Sequence, residues 1–230
     1  MATMPGRENA LRESVNSILP QCDELNIYLN EMSEVPSFLN HKKINVFRSQ
    51  KHSGNLGDVG KFYTCDQWQG YVFTVDDKLI YSLDYARTMI HAIESMNRKA
   101  VISAHGRITK PNCKSYYRDP EKSFRCLDAE PESMLAHIPG TGVMAFHTDT
   151  IQVKLSDFKS TNMSDIWMGV LLQKMEVPLL LLRHRARWIK ISRLHDDRFS
   201  ISAFCSKSDE YQTRITNSIN WKLFNCPFTL

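Results

Sequence analysis

The 230-residue chain has no Cys-x-x-Cys pair; its six cysteines stand far apart, at 22, 65, 113, 126, 205 and 226, and a zinc ribbon is excluded. Residues 1–18 carry charges throughout and have no apolar centre, so no signal peptide is expected there. The cysteines are therefore expected to be free thiols of a cytoplasmic protein rather than a disulfide framework. The longest apolar run, near 177–182, falls far short of the roughly 20 residues of a membrane helix. No transmembrane segment is expected, and peripheral association with the inner face of a membrane stays compatible with the sequence. Charge of one sign is scarce too: the net charge is +4 and the basic residues are scattered, which argues against a nucleic-acid partner. Arg183, His184, Arg185 and Arg187 are the exception, a strand-end cluster suited to solvent or to a phosphate or glycan. No repeat and no low-complexity linker divides the chain.

What is present is an ordinary globular composition, 42% apolar and 23% charged. Leu11, Val15, Ile18 and Leu19 fall on one helical face within 7–19, and Pro20 stops that helix. Tyr85, Met89, Ile93 and Met96 mark a second helix over 84–97, with Asp84 as N-cap, and 164–175 reads as a third, with Ser164 as N-cap. Strands are expected at 2–4, 25–29, 44–47, 70–75, 79–81, 100–104, 143–147 and 177–182. Residues 107–137 read as a long irregular loop. Strands alternating with helices imply an α/β fold, a mostly parallel sheet flanked by helices in a single domain, with residues 191–230 as a tail packed on residues 1–190.

In such a fold, ligands bind beyond the carboxyl ends of the strands. Arg7, Asn30, the loop Gly57-Asp58-Val59-Gly60-Lys61 and the pair Asp76-Asp77 all fall at strand ends or in the turns that follow. Asp58 or Asn30 suits a base N–H, and Lys61 or Arg7 suits a phosphate. The acidic pair suits a divalent cation and the diphosphate it carries. Taken singly, a tight turn explains Asp76-Asp77 and a plain helix-leading turn explains the Gly57 loop. Lys78 is the oddity, a cation where a third acid would complete a metal site.

Together these segments resemble the bacterial glycosyltransferases of GT-A fold that build capsules and surface polysaccharides, the heparosan-type N-acetylglucosaminyltransferases among them. The resemblance is carried, in order, by Ala2-Thr3-Met4-Pro5-Gly6-Arg7, Ser17-Ile18-Leu19-Pro20-Gln21-Cys22-Asp23, Ile27-Tyr28-Leu29-Asn30, Glu34-Val35-Pro36 and Gly57-Asp58-Val59-Gly60-Lys61-Phe62-Tyr63. It continues through residues 73–85, His105-Gly106, Gly140-Thr141-Gly142, Met163-Ser164-Asp165-Ile166-Trp167, Pro178 and residues 183–188.

The resemblance implies a UDP-sugar donor and an oligosaccharide or polysaccharide acceptor. Arg7, Asn30, Asp58, Lys61, Asp76, Asp77, Lys78 and the turn Gly140-Thr141-Gly142 would hold the donor. Asp165 would face the acceptor, as general base in an inverting enzyme or as a positioning acid in a retaining one. His105, Trp167 and Arg183 would touch the acceptor; Trp167 and Trp188 suit sugar stacking or core packing. Residues 206–217 are expected to form a lid over the donor. The family's third acid usually binds manganese or magnesium, and a charged lysine cannot. Either Asp77 takes the metal with His195, or Lys78 itself meets the diphosphate, or transfer is lost and binding kept. The alternatives to a transferase are a non-catalytic nucleotide-sugar-binding subunit and a sugar-phosphate nucleotidyltransferase.

Overall fold

The computed structural model describes residues 1–67, 69–196 and 208–225. Strands β1 (Ala2–Thr3), β2 (Leu25–Leu29) and β3 (Ile44–Arg48) form a parallel three-stranded sheet in the order β1-β2-β3. Every residue of the central strand β2 is buried, as a strand paired on both edges and covered on both faces requires. The chain continues through β4 (Tyr71–Val75), β5 (Leu79–Tyr81), β6 (Val101–Ser103), β7 (Gly106–Ile108), β8 (Lys122–Phe124), β9 (Met134–Ala136), β10 (Ile138–Pro139), β11 (Val143–His147), β12 (Leu179–Leu181) and β13 (Ile189–Ile191). A five-stranded sheet has the order β4-β11-β6-β12-β9; smaller sheets are β10-β7-β8 and β13-β5.

Alternation along the five-stranded sheet separates two helix layers. Val143 and Ala145 of β11, Ile102 of β6 and Leu180 of β12 join one core with α1 (Glu8–Ile18) and α2 (Tyr85–Ser95). Met144 and Phe146, Val101, and Leu179 and Leu181 join the other with α3 (Ser164–Met175). Period-2 patterning on strands buried from both sides thus makes one mixed α/β domain. The helix α4 (Glu210–Asn217) packs on α3.

The sheets depart from the mostly parallel arrangement expected. Among the described residues, β1-β2, β2-β3 and β6-β12 are parallel, and the other ladders are antiparallel. β11 runs antiparallel to both of its neighbours, β4 and β6, and β9 runs antiparallel to β12, so the five-stranded sheet is mixed. Residues 107–137, expected to be irregular, contain most of β7 and all of β8 and β9; strands of three residues are too short to show a readable period.

Two caps also differ. Asp84 makes no cap bond to α2; its carboxylate accepts from Trp188 Nε1 at 2.9 Å instead. Ser164 is the first residue of α3 rather than its cap, and its hydroxyl is spent on Asp58.

Candidate functional site

A cavity of about 770 Å³ opens where β1, β2, β4 and β6 end and where β11 begins. The reversal of β11 matters here. Val143 pairs with Val75, so the turn Gly140-Thr141-Gly142 arrives at the edge where Asp76 leaves β4. Gly142 lies so close to Asp76 that a Cβ would stand 2.4 Å from its carboxyl carbon, and a Cβ on Gly140 would meet the His105 ring at 2.6 Å. Tyr81 ties the two segments: its hydroxyl donates to Gly142 O at 2.6 Å and accepts from Asp76 N at 2.8 Å. Burial holds that phenol well above its ordinary pKa, so it stays a donor.

Lys61 and Asp76 meet at 2.5 Å, with the Lys61 side chain 5% exposed. Burial pushes the Asp76 carboxyl up, but Lys61, Lys78 and Arg7 outweigh it and hold the group down to about 2. Burial lowers Lys61, and Asp76, Asp58 and Asp165 more than reverse that. Arg7 Nη1 donates to both oxygens of the buried Asp77, at 3.1 and 3.2 Å.

Asp165, in the first turn of α3, accepts at Oδ1 from Thr141 N (2.8 Å) and Thr141 Oγ1 (2.6 Å). Lys61 Nζ lies 3.5 Å from the same Thr141 Oγ1. Asp58 Oδ2 accepts from Ser164 N at 3.0 Å and from Ser164 Oγ. Burial raises the Asp58 pKa, against the pull of Lys61 and Ser164. His105 is pushed down by burial, with Asp165 opposing and Arg107 adding, so its ring favours the neutral form.

The cavity collects Arg7, Asn30, Asp58, Lys61, Asp76, Asp77, Lys78, His105, Asp165 and the 140–142 turn from the sequence-predicted set. Asn30 lines it mainly as a staple: its amide donates to Gly57 O at 3.0 Å and accepts from Leu56 N at 2.9 Å, which fixes the loop before Asp58. Three expected contacts are absent from the lining. Trp167 packs beside Tyr116 and Ile166 and donates to Ser160 Oγ at 2.9 Å. Arg183 flanks a separate shallow depression with Glu130 and His184. His195 follows β13 outside the cavity lining. Trp188 is core, 3% exposed and tilted against Tyr85.

Arg107, Tyr116, Tyr117, Arg125 and Asn162 line the cavity and were not read from the sequence, and Gln212 of the expected lid segment lines it too. Arg107 sits 4.0 Å over the Tyr116 ring and donates to Tyr116 O. The available signal was Tyr116-Tyr117 in a polar stretch. Of the expected lid, Ser206 and Lys207 lie outside the described residues. Its remainder is held to the same tyrosines: Asp209 Oδ2 accepts from Ser115 Oγ at 2.6 Å and Tyr117 N at 3.0 Å, and Thr213 Oγ1 accepts from Tyr116 N at 2.9 Å.

A divalent cation needs several oxygen ligands. Asp77 turns both oxygens to Arg7, Asp76 Oδ1 is held by Lys61, and His195 does not line the cavity. No three His, Cys, Asp or Glu side chains are grouped for a metal among the described residues. This donor set does not fit the manganese or magnesium site sketched from Asp77 and His195. Lys78 and Arg125, by contrast, line the cavity with no ion-pair partner among the described residues.

Cys22, Cys65, Cys113 and Cys126 are free thiols. Among the described residues no helix is long and apolar enough to cross a membrane. The chain matches no protein-family model and no curated protein.

Proposed function

We propose that the chain is a GT-A glycosyltransferase that moves a sugar from a UDP-sugar to a hydroxyl of a growing surface or capsular glycan. The observation that carries this reading is the single residue Thr141, which stands between Lys61 and Asp165. A cation suited to a diphosphate and a carboxylate suited to an acceptor hydroxyl are thereby one side chain apart. That spacing is what displacement at an anomeric carbon needs, with charge growing on one side and a proton leaving on the other.

In this reading the acceptor oxygen attacks the anomeric carbon and its proton passes to Asp165. The carbon–oxygen bond to the diphosphate breaks with its electron pair. Lys61, Lys78 and Arg125 meet the growing charge, and no step runs through a metal. Neutral His105, against the 140–142 turn, donates or accepts a hydrogen bond at the sugar.

The test is release of UDP from UDP-sugars in the presence of glycan acceptors. Release by the wild type and its loss in Asp165→Asn, with UDP binding kept, is the expected result. Lys78 favours one second reading, a subunit that binds the nucleotide sugar without transferring it. Tight binding with no release across acceptors would establish that reading instead.

A further inference from the structure

Asp58 and Asp165 are joined by two hydroxyls. Ser164 Oγ lies against Asp58 Oδ2 and 2.8 Å from Thr141 Oγ1, which lies 2.6 Å from Asp165 Oδ1. These are three oxygen–oxygen contacts in series, and a serine and a threonine supply one proton each. With both carboxyls ionised, one contact holds no proton and lone pairs face one another. One added proton fills all three. Neighbouring donors place no proton between the two hydroxyls: Ser164 N donates to Asp58 Oδ2, Thr141 N donates to Asp165 Oδ1, and Lys61, paired with Asp76, reaches only Thr141 Oγ1 from the side, at 3.5 Å.

An independent observation points the same way. Asp58 Oδ1 is shut off from solvent and accepts no hydrogen bond among the described residues. Such an oxygen is costly on a carboxylate and far less so as the carbonyl of a neutral acid. Burial also raises the Asp58 pKa despite Lys61 and Ser164. The other titratable groups that act on the two carboxyls are Lys61, His105 and Tyr116, with Asp76 behind Lys61.

We propose that Asp58 and Asp165 are one titrating unit that holds a single proton at neutral pH, carried on Asp58 and linked through Ser164 and Thr141 to a charged Asp165. The consequence for catalysis rests on the transferase reading. Asp58 is then a positioning residue: its proton orients both hydroxyls so that Thr141 donates to Asp165 Oδ1. Oδ2 of Asp165, which accepts no hydrogen bond among the described residues, is left for the acceptor hydroxyl. When Asp165 takes the acceptor proton, the pair carries two protons and returns one to water.

The experiment is a carboxyl carbon NMR titration of the full chain without substrate. The Asp58 and Asp165 signals are expected to share two steps more than about one pH unit apart. Thr141→Val and Ser164→Ala, each of which cuts the bridge, are expected to draw the steps together. A single step for both groups in the ordinary carboxylate range, or the same two steps in both variants, overturns the proposal. The titration reads protons and not transfer, so its failure leaves the sugar-transfer reading standing. Failure to bind UDP-sugars likewise leaves the shared proton standing.

Discussion

The carboxylate of Asp76 occupies the space that a side chain on Gly142 would fill, with a Cβ there only 2.4 Å from its carboxyl carbon. The glycine is needed for this close approach. In Gly142→Ala either the turn or Asp76 must move, and overpacking of this kind costs about 1–3 kcal/mol. The movement also disturbs the Lys61–Asp76 pair. The expected outcome is a lower urea midpoint and about tenfold weaker UDP binding, or about 1.4 kcal/mol, by calorimetry. Unchanged UDP affinity would separate Asp76 from the nucleotide.

Lys61 is a buried cation that Asp76, Asp58 and Asp165 hold in its charged form. Lys61→Met removes the closest cation from Asp76 and leaves only Lys78 and Arg7 to oppose its burial, a loss of about 1.5–3 kcal/mol. Urea unfolding should show that loss, and Lys61→Met combined with Asp76→Asn should recover part of it. A double variant no more stable than Lys61→Met would mean that the pair is not coupled.

The two carboxyls on either side of Lys61 should act on stability with opposite pH slopes. Asp76 is held at about 2, below its unfolded 3.8. Its contribution, about 2 kcal/mol, is present above the unfolded value and lost as pH falls through about 2. Asp58 is raised above 3.8, so its contribution is full below that value and lost as pH rises through the folded pKa. Unfolding measured across acid to neutral pH should therefore lose its steepest acid limb in Asp76→Asn. Asp58→Asn should gain on wild type as pH rises past the unfolded value. Parallel curves for both variants would contradict this assignment.

Lys78 stands where the transferases that the sequence resembles carry a third acid. If its ammonium meets the diphosphate, Lys78→Ala should weaken UDP about tenfold, or about 1.4 kcal/mol, and leave uridine nearly unchanged. Manganese should not alter UDP affinity in wild type and should strengthen it in Lys78→Asp. Equal losses for UDP and uridine would place Lys78 away from the phosphates.

Much of this was legible in the sequence wherever one pattern dominated. The period of Leu11, Val15 and Ile18 marks α1, and the fully apolar-flanked stretch before Asp76 marks β4, because burial of one face leaves few alternatives. The placement of Asp76 at the end of β4 followed from the same reading, whereas Asp58 and Lys61 stand on a 3-10 helix, Gly57–Phe62. The reversal of β11 was not legible: the chain reaches it from β6 through β7, β8, β9 and β10, strands of two or three residues too short to show a period. Arg107 was missed with them, since it sits on the three-residue β7, and Tyr116 lies in a turn of the polar stretch that follows, where no period marks it. Trp167 was misplaced for another reason. Its ring suits a sugar or a core equally, and only the turn of α3 decides that it faces Tyr116 and Ser160.

The most direct measurement is thermal unfolding of the wild-type chain against a panel of nucleotide sugars and their free nucleotides. A UDP-sugar at 100 times its dissociation constant should add about 2.7 kcal/mol of stability, and UDP should retain most of it. No stabilisation by any nucleotide or nucleotide sugar would contradict the assignment of this cavity to a nucleotide-sugar donor.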